Sequence, residues 1–175
     1  MVAEMNFAED YFRVEASLAP TSFILVPQCH LYGGFALCYW YGRNPHAGDW
    51  VFSVGGYHKS FSPPLWYPVP SRLGVNFGIG GGLCVRAEAY FAVTPKVVMG
   101  GAMLHVSLDI GPVSAYLDAS FDALINLNPL HYIADMRISV GVTCDIHILF
   151  IHIHISVSIG ADLHIEGPEF GGVAQ

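Results

Sequence analysis

The chain has 175 residues, enough for one domain with a substantial core, yet charged residues make up only 12% of it and hydrophobic residues make up 53%. Its formal net charge of −7 argues against nucleic-acid binding and against anionic membrane surfaces, which both require a basic footprint. A soluble chain with so few charges is expected to expose large apolar patches, which usually mark a partner, a ligand surface or an assembly contact.

The sequence predicts neither a membrane helix nor a secretion signal. No run of about 18 apolar residues occurs, and the start of the chain lacks the basic, apolar and small-residue order of a signal peptide. The compartment therefore stays open, an extracellular location included. We predict a single β domain over residues 1–175, with an N-terminal arm at 1–20 and a β core at 21–175. A turn or two of helix is placed near NFAEDYF (6–12).

Hydrophobicity alternates with a period of two along most of the chain, which is typical of half-buried β-strands. In chain order the clearest strands are GFALCYWYG (34–42), DWVFSVGG (49–56), LCVRAEAYFAV (83–93) and VSAYLDASFDALI (113–125). Turn signals separate them at 43–49, 62–64, 78–82, 110–112, 126–129 and 166–168. The pattern predicts an all-β, antiparallel, strongly curved sheet, an open groove or a barrel-like sandwich, with roughly eight to ten strands and little helix.

The stretch from residue 51 to residue 75 stands apart because it combines four prolines with large aromatic side chains. Such side chains carry a large apolar area and a polar group that can orient a ligand. One interpretation is therefore an aromatic binding loop, and the other is an aromatic plug that caps the end of the β-structure. The residues of this predicted loop are Tyr57, His58, Phe61, Trp66 and Tyr67.

The stretch DIHILFIHIHISVSIGADLHIEG (145–167) predicts a β-hairpin with its turn at Leu149–Phe150. Residues whose numbers sum to 299 then face each other. One face becomes apolar throughout and the other polar, whereas a slip of one residue would set polar against apolar side chains. We therefore expect an apolar groove, able to hold a ligand, that is built by Val113, Ala115, Leu117, Phe121, Val140, Val142, Ile146, Ile153, Val157 and Ile159.

The polar face of the same hairpin groups His147, His152 and His154 with Asp145. Opposed Cβ atoms on paired strands lie about 4.5–5.5 Å apart, so these side chains could converge on a cofactor, zinc or copper. Two other interpretations stay open: a solvent-facing polar strip, and a pH-responsive contact. The second follows because protonating the six histidines of residues 97–175 would bring their formal charge from −7 to about −1.

Other candidate sites are weaker. The four cysteines contain no CxxC pair, although two of them could meet across a hairpin, at Cys29 and Cys38; four buried thiols are the alternative. No nucleophile, base and orienting group can be assembled from neighbouring residues, so no enzyme is predicted. A sugar-binding surface would use Trp40, Trp50 and Trp66. A weak internal echo links GAMLHV (101–106) with GADLHI (160–165), each followed by Gly-Pro.

Three stretches carry a family resemblance: DWVFSVGGYHKSFSPPLWYPVPSRLGV (49–75), AEAYFAVTPKVVMGGAML (87–104) and SIGADLHIEGPEFGGVA (158–174). With their GGYHxxFxPP, YFAxTP and GPxFGG patterns, residues 22–174 resemble an uncharacterised domain-of-unknown-function family found near the ends of large fungal and bacterial β-rich proteins. The resemblance implies no established activity and therefore no catalytic residue. It also implies strands that continue after GPxFGG, so this chain is expected to be a section of something longer or to pair its last edge with another copy.

The expected function is that of a non-enzymatic β-structural module. It would self-assemble, or join a larger assembly such as a filament, through its edge strands. Its partners would be copies of itself or neighbouring β modules, with lipid-like ligands on the apolar face and no nucleic acid. The alternative is a metal-binding module or a metal-dependent enzyme that uses the histidine cluster.

Overall fold

The structure, a computed structural model, describes residues 2–148, 151–168 and 171–174, and it is a single sheet of antiparallel β-strands. In the described part of the chain none of the residues lies in a helix that is long and apolar enough to cross a membrane. The strands are β1 (Val2–Asn6), β2 (Tyr11–Ser17), β3 (Phe23–Ile24), β4 (Val26–Tyr32), β5 (Gly34–Trp40), β6 (Trp50–Val54), β7 (Leu73–Ile79), β8 (Leu83–Val93), β9 (Val97–Ile110), β10 (Val113–Leu127), β11 (Leu130–Ile148), β12 (Ile151–Gly167) and β13 (Gly171–Ala174).

The sheet branches at β8, because one edge of this strand is shared by two partners. Residues 83–89 pair with β7, and residues 91–93 pair with β6. From there β7 leads to β4 and β3, whereas β6 leads to β5, β2 and β1. Gly55 lies at the fork with φ 71°, and a Cβ atom there would collide with the carbonyl oxygen of Ala89. Only glycine lets the chain leave β6 so close to β8.

The other edge of β8 begins a meander of long strands in the order β9, β10, β11, β12 and β13. In the β11–β12 hairpin the residue numbers of each pair add to 299, as in Val140↔Ile159 and Asp145↔His154. This confirms the predicted register. The predicted turn residues, Leu149 and Phe150, lie outside the described residues. The sheet curls but does not close into a barrel, so the all-β, antiparallel, curved fold is confirmed.

Glycine and proline mark the tight connections, as the turn signals predicted. Gly81 and Gly82, with φ of 91° and 82°, join β7 to β8, and Gly111, with φ of 59°, joins β9 to β10. Non-glycine residues rarely adopt these angles, so these hairpins depend on glycine. Asn128 and Pro129 connect β10 to β11.

The hydrophobic core covers only one face at one end of the sheet. Residues 55–72, between β6 and β7, fold over the ends of β8, β9 and β10 and bury Tyr57 and Tyr67 there. Trp40 stacks on Tyr67 with the ring centroids 5.6 Å apart. The buried cluster is made of Cys38, Trp40, Val51, Tyr57, Tyr67, Tyr90, Ala92, Val97, Met99 and Leu124.

The start of the chain differs from the sequence-based expectation. Residues 1–20, predicted as an arm, contribute β1 and β2, and β2 pairs with β5 in the main sheet. The helical turn predicted near residues 6–12 is wrong: a hairpin turn lies there instead. The Asn6 side chain accepts the N–H groups of Ala8 and Glu9, both at 3.0 Å, and Asp10 has φ 53°. This local capping favours the turn over a helix.

Candidate functional site: an uncovered apolar face

The long strands carry an apolar face that extends without interruption from β7 to β12. Directly opposed residues of antiparallel strands share a face, so the registers define continuous cross-strand rows. One row runs Val75, Ala87, Leu104, Ala119, Ile138 and Ala161. The next row runs Leu73, Ala89, Ala102, Phe121, Met136 and Leu163. No charged or hydroxyl side chain interrupts these two rows of described residues.

The residues predicted for the groove lie on this face. Val140 pairs with Ile159, Val142 with Val157, and Ile146 with Ile153. Val113, Ala115, Leu117 and Phe121 alternate along β10 on the same side. Most of these side chains remain substantially exposed, and Ile159 is 76% exposed. The registers therefore bring these residues to one face, and the most concave part of that face lies elsewhere.

The concave part is a hollow of about 700 Å³ over the middle of β7–β11. Phe121 is the predicted groove residue that borders it. Sequence reasoning missed its other apolar residues, which are Leu31, Leu73, Val75, Ala87, Ala89, Ala102, Met103, Leu104, Ala119, Met136 and Ile138. The sequence of β8 contains a feature that could have revealed them, because Ala87 and Ala89 alternate there with polar residues. Alanines form the floor of the hollow, and the larger side chains of the neighbouring strands form its walls. The position of the hollow depends on how these alanines align across the strands, so it can be located only from the cross-strand registers.

The exposed area of the whole chain is larger than that of a compact monomer of the same mass. The chain exposes 11198 Å². The surface–mass relation for compact monomers gives only about 8,400 Å² for a mass of 19.0 kDa. The excess of about 2,800 Å² is larger than one partner's share of a standard protein interface, about 800 Å². A sheet with a core on one face at one end accounts for this excess.

The opposite face is largely polar and carries directly opposed acid–base pairs. His105 Nδ1 lies 2.5 Å from Asp118 Oδ1 across β9 and β10. His164 Nδ1 lies 2.6 Å from Asp135 Oδ1 across β11 and β12. His105 and His164 occupy the same position in the GAMLHV and GADLHI echo, so the two copies of the echo make the same type of cross-strand pair.

These contacts shift the pKa values of the groups involved. The hydrogen bond to Asp135 raises the pKa of His164, and the same contact lowers the pKa of Asp135. The hydrogen bond from His154 lowers the pKa of Asp145, and His152 contributes in the same direction. Asp135 and Asp145 are therefore held in their charged form, while their exposure lets water screen the pairs.

The predicted metal cluster assembles only in part. Asp145 Oδ1 lies 2.5 Å from His154 Nδ1 and 3.5 Å from His152 Nε2. His147 stacks its ring on that of His152, with the centroids 4.2 Å apart, so the two rings present faces to each other. In the described ranges, no group of three His, Cys, Asp or Glu side chains is placed to hold a metal ion. The arrangement corresponds to a carboxylate hydrogen-bonded by histidines on an open sheet surface.

The aromatic segment folds as a plug on the core. Tyr57, His58 and Tyr67 are buried, and Phe61 packs against the cluster. The Tyr57 hydroxyl donates to the carbonyl of Pro68 at 2.5 Å, and the Tyr67 hydroxyl donates to Asp49 at 2.6 Å. Since both hydroxyl groups already donate hydrogen bonds inside the fold, they cannot orient a ligand. Trp66 is the exposed member of the group.

Arg72 holds this plug in place. Its guanidinium donates to the carbonyls of Gly55 at 3.0 Å and Tyr57 at 2.7 Å. It also lies 3.9 Å from the centroid of the Tyr90 ring, within cation–π distance. One side chain therefore ties both ends of the segment to β8.

The predicted tryptophan surface does not form. Trp40 is buried in the core, and Trp50 is half-buried in β6. Trp66 stacks on His46, with the ring centroids 3.7 Å apart, and its indole N–H donates to Asp49 at 3.2 Å. The three indoles thus have separate structural roles.

The cysteines are all free thiols. Cys29 and Cys38 are buried, whereas Cys84 and Cys144 are half-buried. The contact suggested between Cys29 and Cys38 is absent because β4 pairs with β3 and β7, while β5 pairs with β2 and β6. Burial raises the pKa of the Cys38 thiol to about 11, so this group is a packing residue and not a reactive thiolate.

Comparison with known proteins gives one finding. The sequence model of a family described as a family of unknown function, DUF6603, matches residues 1–175. This match confirms the resemblance noted from the sequence and extends it from residues 22–174 to the whole chain. Searches of curated proteins and of solved structures found no match to the chain.

Proposed function

We propose that this chain, which belongs to DUF6603, is a non-enzymatic β module that assembles with other β-structure and covers its apolar face by doing so. The partner is a second copy or a neighbouring β module, and repeated addition at sheet edges would extend the assembly into a filament. The apolar hollow offers a site for lipid-like chains where protein does not cover it.

The observation that carries this proposal is the uncovered apolar face, with its excess of about 2,800 Å² over the area of a compact monomer. The apolar part of this excess is unfavourable in water by roughly 25 cal/mol per Å². An obligate interface buries area in this range, whereas scattered surface hydrophobics do not account for it.

The apolar hollow supports the lipid component of the proposal. Its volume of about 700 Å³ lies in the range typical of ligand sites, and its walls are almost entirely hydrocarbon. Glu88 and Arg137 border the hollow, but the strand registers put their side chains on the opposite face, so the two apolar rows hold no charged side chain to orient a polar ligand. A flexible acyl chain is therefore a better fit than a polar metabolite.

The layout of the polar face supports a non-enzymatic role. A nucleophile must lie within hydrogen-bond reach of its general base. Ser107 and Ser156 each stand two residues along a strand from His105 and His154. Among the described residues, the two histidines bond to Asp118 and Asp145, and the Ser156 hydroxyl bonds to Thr143 and not to His154.

A matched pair of methionine substitutions tests the role of the apolar face. Met136 lies on the apolar face of β11 and lines the hollow, whereas Met5 lies on β1, away from it; their exposed fractions are 51% and 54%. We expect Met136→Glu to weaken self-association, or the retention of lipid, at least about tenfold, because a buried carboxylate replaces an apolar contact. Met5→Glu should change neither.

The measurements are sedimentation equilibrium and mass spectrometry of organic extracts from the purified chain. If Met136→Glu and Met5→Glu behave alike, or if the unmodified chain is a lipid-free monomer, the proposal fails. Circular dichroism of both variants separates loss of assembly from loss of fold.

A further inference from the structure

A cleft of about 580 Å³ lies at the plug end of the sheet, where three connecting segments meet. These segments are residues 41–49 between β5 and β6, residues 55–72 between β6 and β7, and residues 94–96 between β8 and β9. The volume lies in the range of small-ligand sites, and loops on a rigid scaffold are common positions for such sites. The cleft shares no lining residue with the apolar hollow, so the proposed function does not account for it.

Two of the stretches that carry the family resemblance build this cleft. The stretch of residues 49–75 supplies most of its aromatic side chains, and the stretch of residues 87–104 supplies its lysine. Pro45 and His46, from the loop before β6, complete the wall. The most distinctive sequence patterns of the chain therefore meet at one cavity, away from the apolar face.

Trp66 gives the cleft a fixed aromatic surface. Its indole N–H donates to Asp49 at 3.2 Å, and the His46 ring stacks on it with the centroids 3.7 Å apart and an interplanar angle of 12°. His46 thus covers one face of the indole, yet Trp66 as a whole is still 41% exposed. A ring that is immobilised before binding loses little entropy when a ligand stacks on it. Trp66 is therefore suited to stacking, even though the three-tryptophan surface does not form.

Asp49 is the anchor of this arrangement and is fully used by it. Its Oδ1 accepts from the Tyr67 hydroxyl at 2.6 Å and from the backbone N–H of Trp50 at 2.9 Å, while its Oδ2 accepts from Trp66. The carboxylate therefore orients the aromatic rings from within the fold and does not offer a free oxygen to a positively charged ligand.

Lys96 supplies a free positive charge on the other side of the cleft. Of the two lysines in the chain, Lys59 pairs with Asp135 at 3.3 Å, whereas none of the described acidic side chains lies within ion-pair distance of Lys96. The backbone of Lys96 is fixed, because its N–H donates to Thr94 Oγ1 at 3.2 Å and its carbonyl accepts from Leu127 at 2.8 Å. An exposed ammonium group on a fixed turn is available to an anion.

We propose that this cleft binds an acidic saccharide, a uronic acid, with the apolar face of a sugar ring against Trp66 and the carboxylate at Lys96. The C–H groups on one face of a sugar ring carry partial positive charge and complement the negative face of an aromatic ring. The Ser62 hydroxyl and the His46 ring line the same cleft and can bond to the sugar hydroxyls.

The charge and polarity of the cleft limit the choice of ligand. Lys96 is the single lysine or arginine among its described lining residues, and the whole chain has a formal charge of −7. A polyanion such as a nucleoside triphosphate would be repelled, whereas one carboxylate matches one ammonium group. An acyl chain fits a mostly apolar site, whereas hydroxyl, imidazole and ammonium groups stand beside the indole here. A uronic acid meets both conditions.

Titration calorimetry of the unmodified chain tests the ligand class. The probes are disaccharides of galacturonic, glucuronic and mannuronic acid, each with its methyl ester, which keeps the ring and removes the charge. We expect an acid form to bind, and its ester to bind at least about tenfold more weakly, because a charge-assisted hydrogen bond is lost. Benzoate is the probe for an aromatic acid in place of a sugar.

Substitution of neighbouring residues tests the aromatic surface. Leu65 precedes Trp66, is fully exposed and does not line the cleft. Trp66→Ala should weaken binding of the acid form at least about tenfold, because the stacking surface is lost. Leu65→Ala should not change it. Trp66→Phe keeps an aromatic face without the indole N–H and should restore part of the affinity.

The two lysines form a second matched pair. Lys96→Gln should lower the affinity for the acid form to that for the methyl ester and leave the affinity for the ester unchanged. Lys59→Gln should change neither, since Lys59 does not line this cleft. Circular dichroism of each variant distinguishes loss of binding from loss of fold.

Failure of all three acids to bind the unmodified chain overturns the site. Tighter binding of benzoate than of any uronic acid overturns the saccharide as the ligand. Equal effects of Lys96→Gln and Lys59→Gln overturn the role of Lys96, and equal effects of Trp66→Ala and Leu65→Ala overturn that of Trp66. The proposed function is tested separately, because the cleft and the apolar hollow have no residue in common.

Discussion

At the scale of single residues, His58 stands out as a buried histidine with a ring nitrogen that is unpaired in the described part of the chain. It is almost fully buried, its Nδ1 accepts the N–H of Ser60 at 3.0 Å, and its Nε2 has no partner among the described residues. With Nδ1 acting as acceptor, the proton of the neutral ring must sit on Nε2. Burial lowers the pKa of this histidine, so the fold holds it neutral.

His58 and His164 should give opposite responses of stability to pH. The lowered pKa of His58 means that below about pH 6.5 the unfolded chain binds a proton that the folded chain does not, so acidification destabilises the fold. The raised pKa of His164 means that stability is fully present below about pH 6.5 and is lost as pH rises through the folded-state pKa. Asp135 stays ionised in both states near neutrality and does not contribute there.

Single substitutions separate these two effects. In urea unfolding at pH 7.5 and pH 5.5, His164→Asn should leave a chain that loses stability on acidification. His58→Asn should leave one that gains stability over the same interval. Identical pH dependence in the two variants would contradict the opposite pKa shifts.

Arg72 is the residue that most directly holds the plug. Arg72→Ala should lower the free energy of unfolding by about 2–4 kcal/mol, because two charge-assisted hydrogen bonds and a cation–π contact are lost. The measurement is chemical denaturation followed by tryptophan fluorescence.

The control for Arg72 is Arg86→Ala on the same sheet. Arg86, whose own side chain is exposed, makes an ion pair with Glu88 at 2.6 Å, so its loss should lower the free energy of unfolding much less than the loss of Arg72. Equal effects of the two substitutions would show that Arg72 does not have a special role.

At the scale of elements, the long strands were predictable and the short ones were not. In β11 and β12, alternation over many residues fixes the register, because a one-residue slip exchanges the faces; the sum of 299 followed from that alone. β3 has two residues and β13 four, which is too short for a period to emerge. The sequence analysis therefore predicted eight to ten strands where the structure has more.

The branch at β8 could not be predicted from the sequence either. Nothing in the alternation of residues 83–93 tells which residues pair with β6 and which with β7. The division depends on where Gly55 lets the chain cross. Pairings between strands distant in the chain are set by the path of the intervening segment, and local patterns do not encode it.

The candidate metal site illustrates a limit at the same scale. The register correctly brought Asp145, His147, His152 and His154 to one face. The direction of each ring depends on side-chain torsions and neighbours, and here His147 and His152 stack. Placement on a face was predictable, and convergence of ligand atoms was not.

At the scale of the whole molecule, the composition was the first indication of an uncovered apolar face. A chain with 53% hydrophobic and 12% charged residues cannot cover its apolar area in a single curled sheet. The plug protects one face at one end, and the long strands leave the other face bare. The location of the hollow needed the structure, since it depends on how the alanines of successive strands align.

The most direct test of the central claim is the mass of the purified, unmodified chain in solution, measured by native mass spectrometry together with analysis of bound lipid. The account predicts a mass of at least twice 19.0 kDa, or a chain that carries lipid-like molecules, in a buffer without detergent. A stable species of 19.0 kDa with nothing bound, persisting at micromolar concentration, would contradict it.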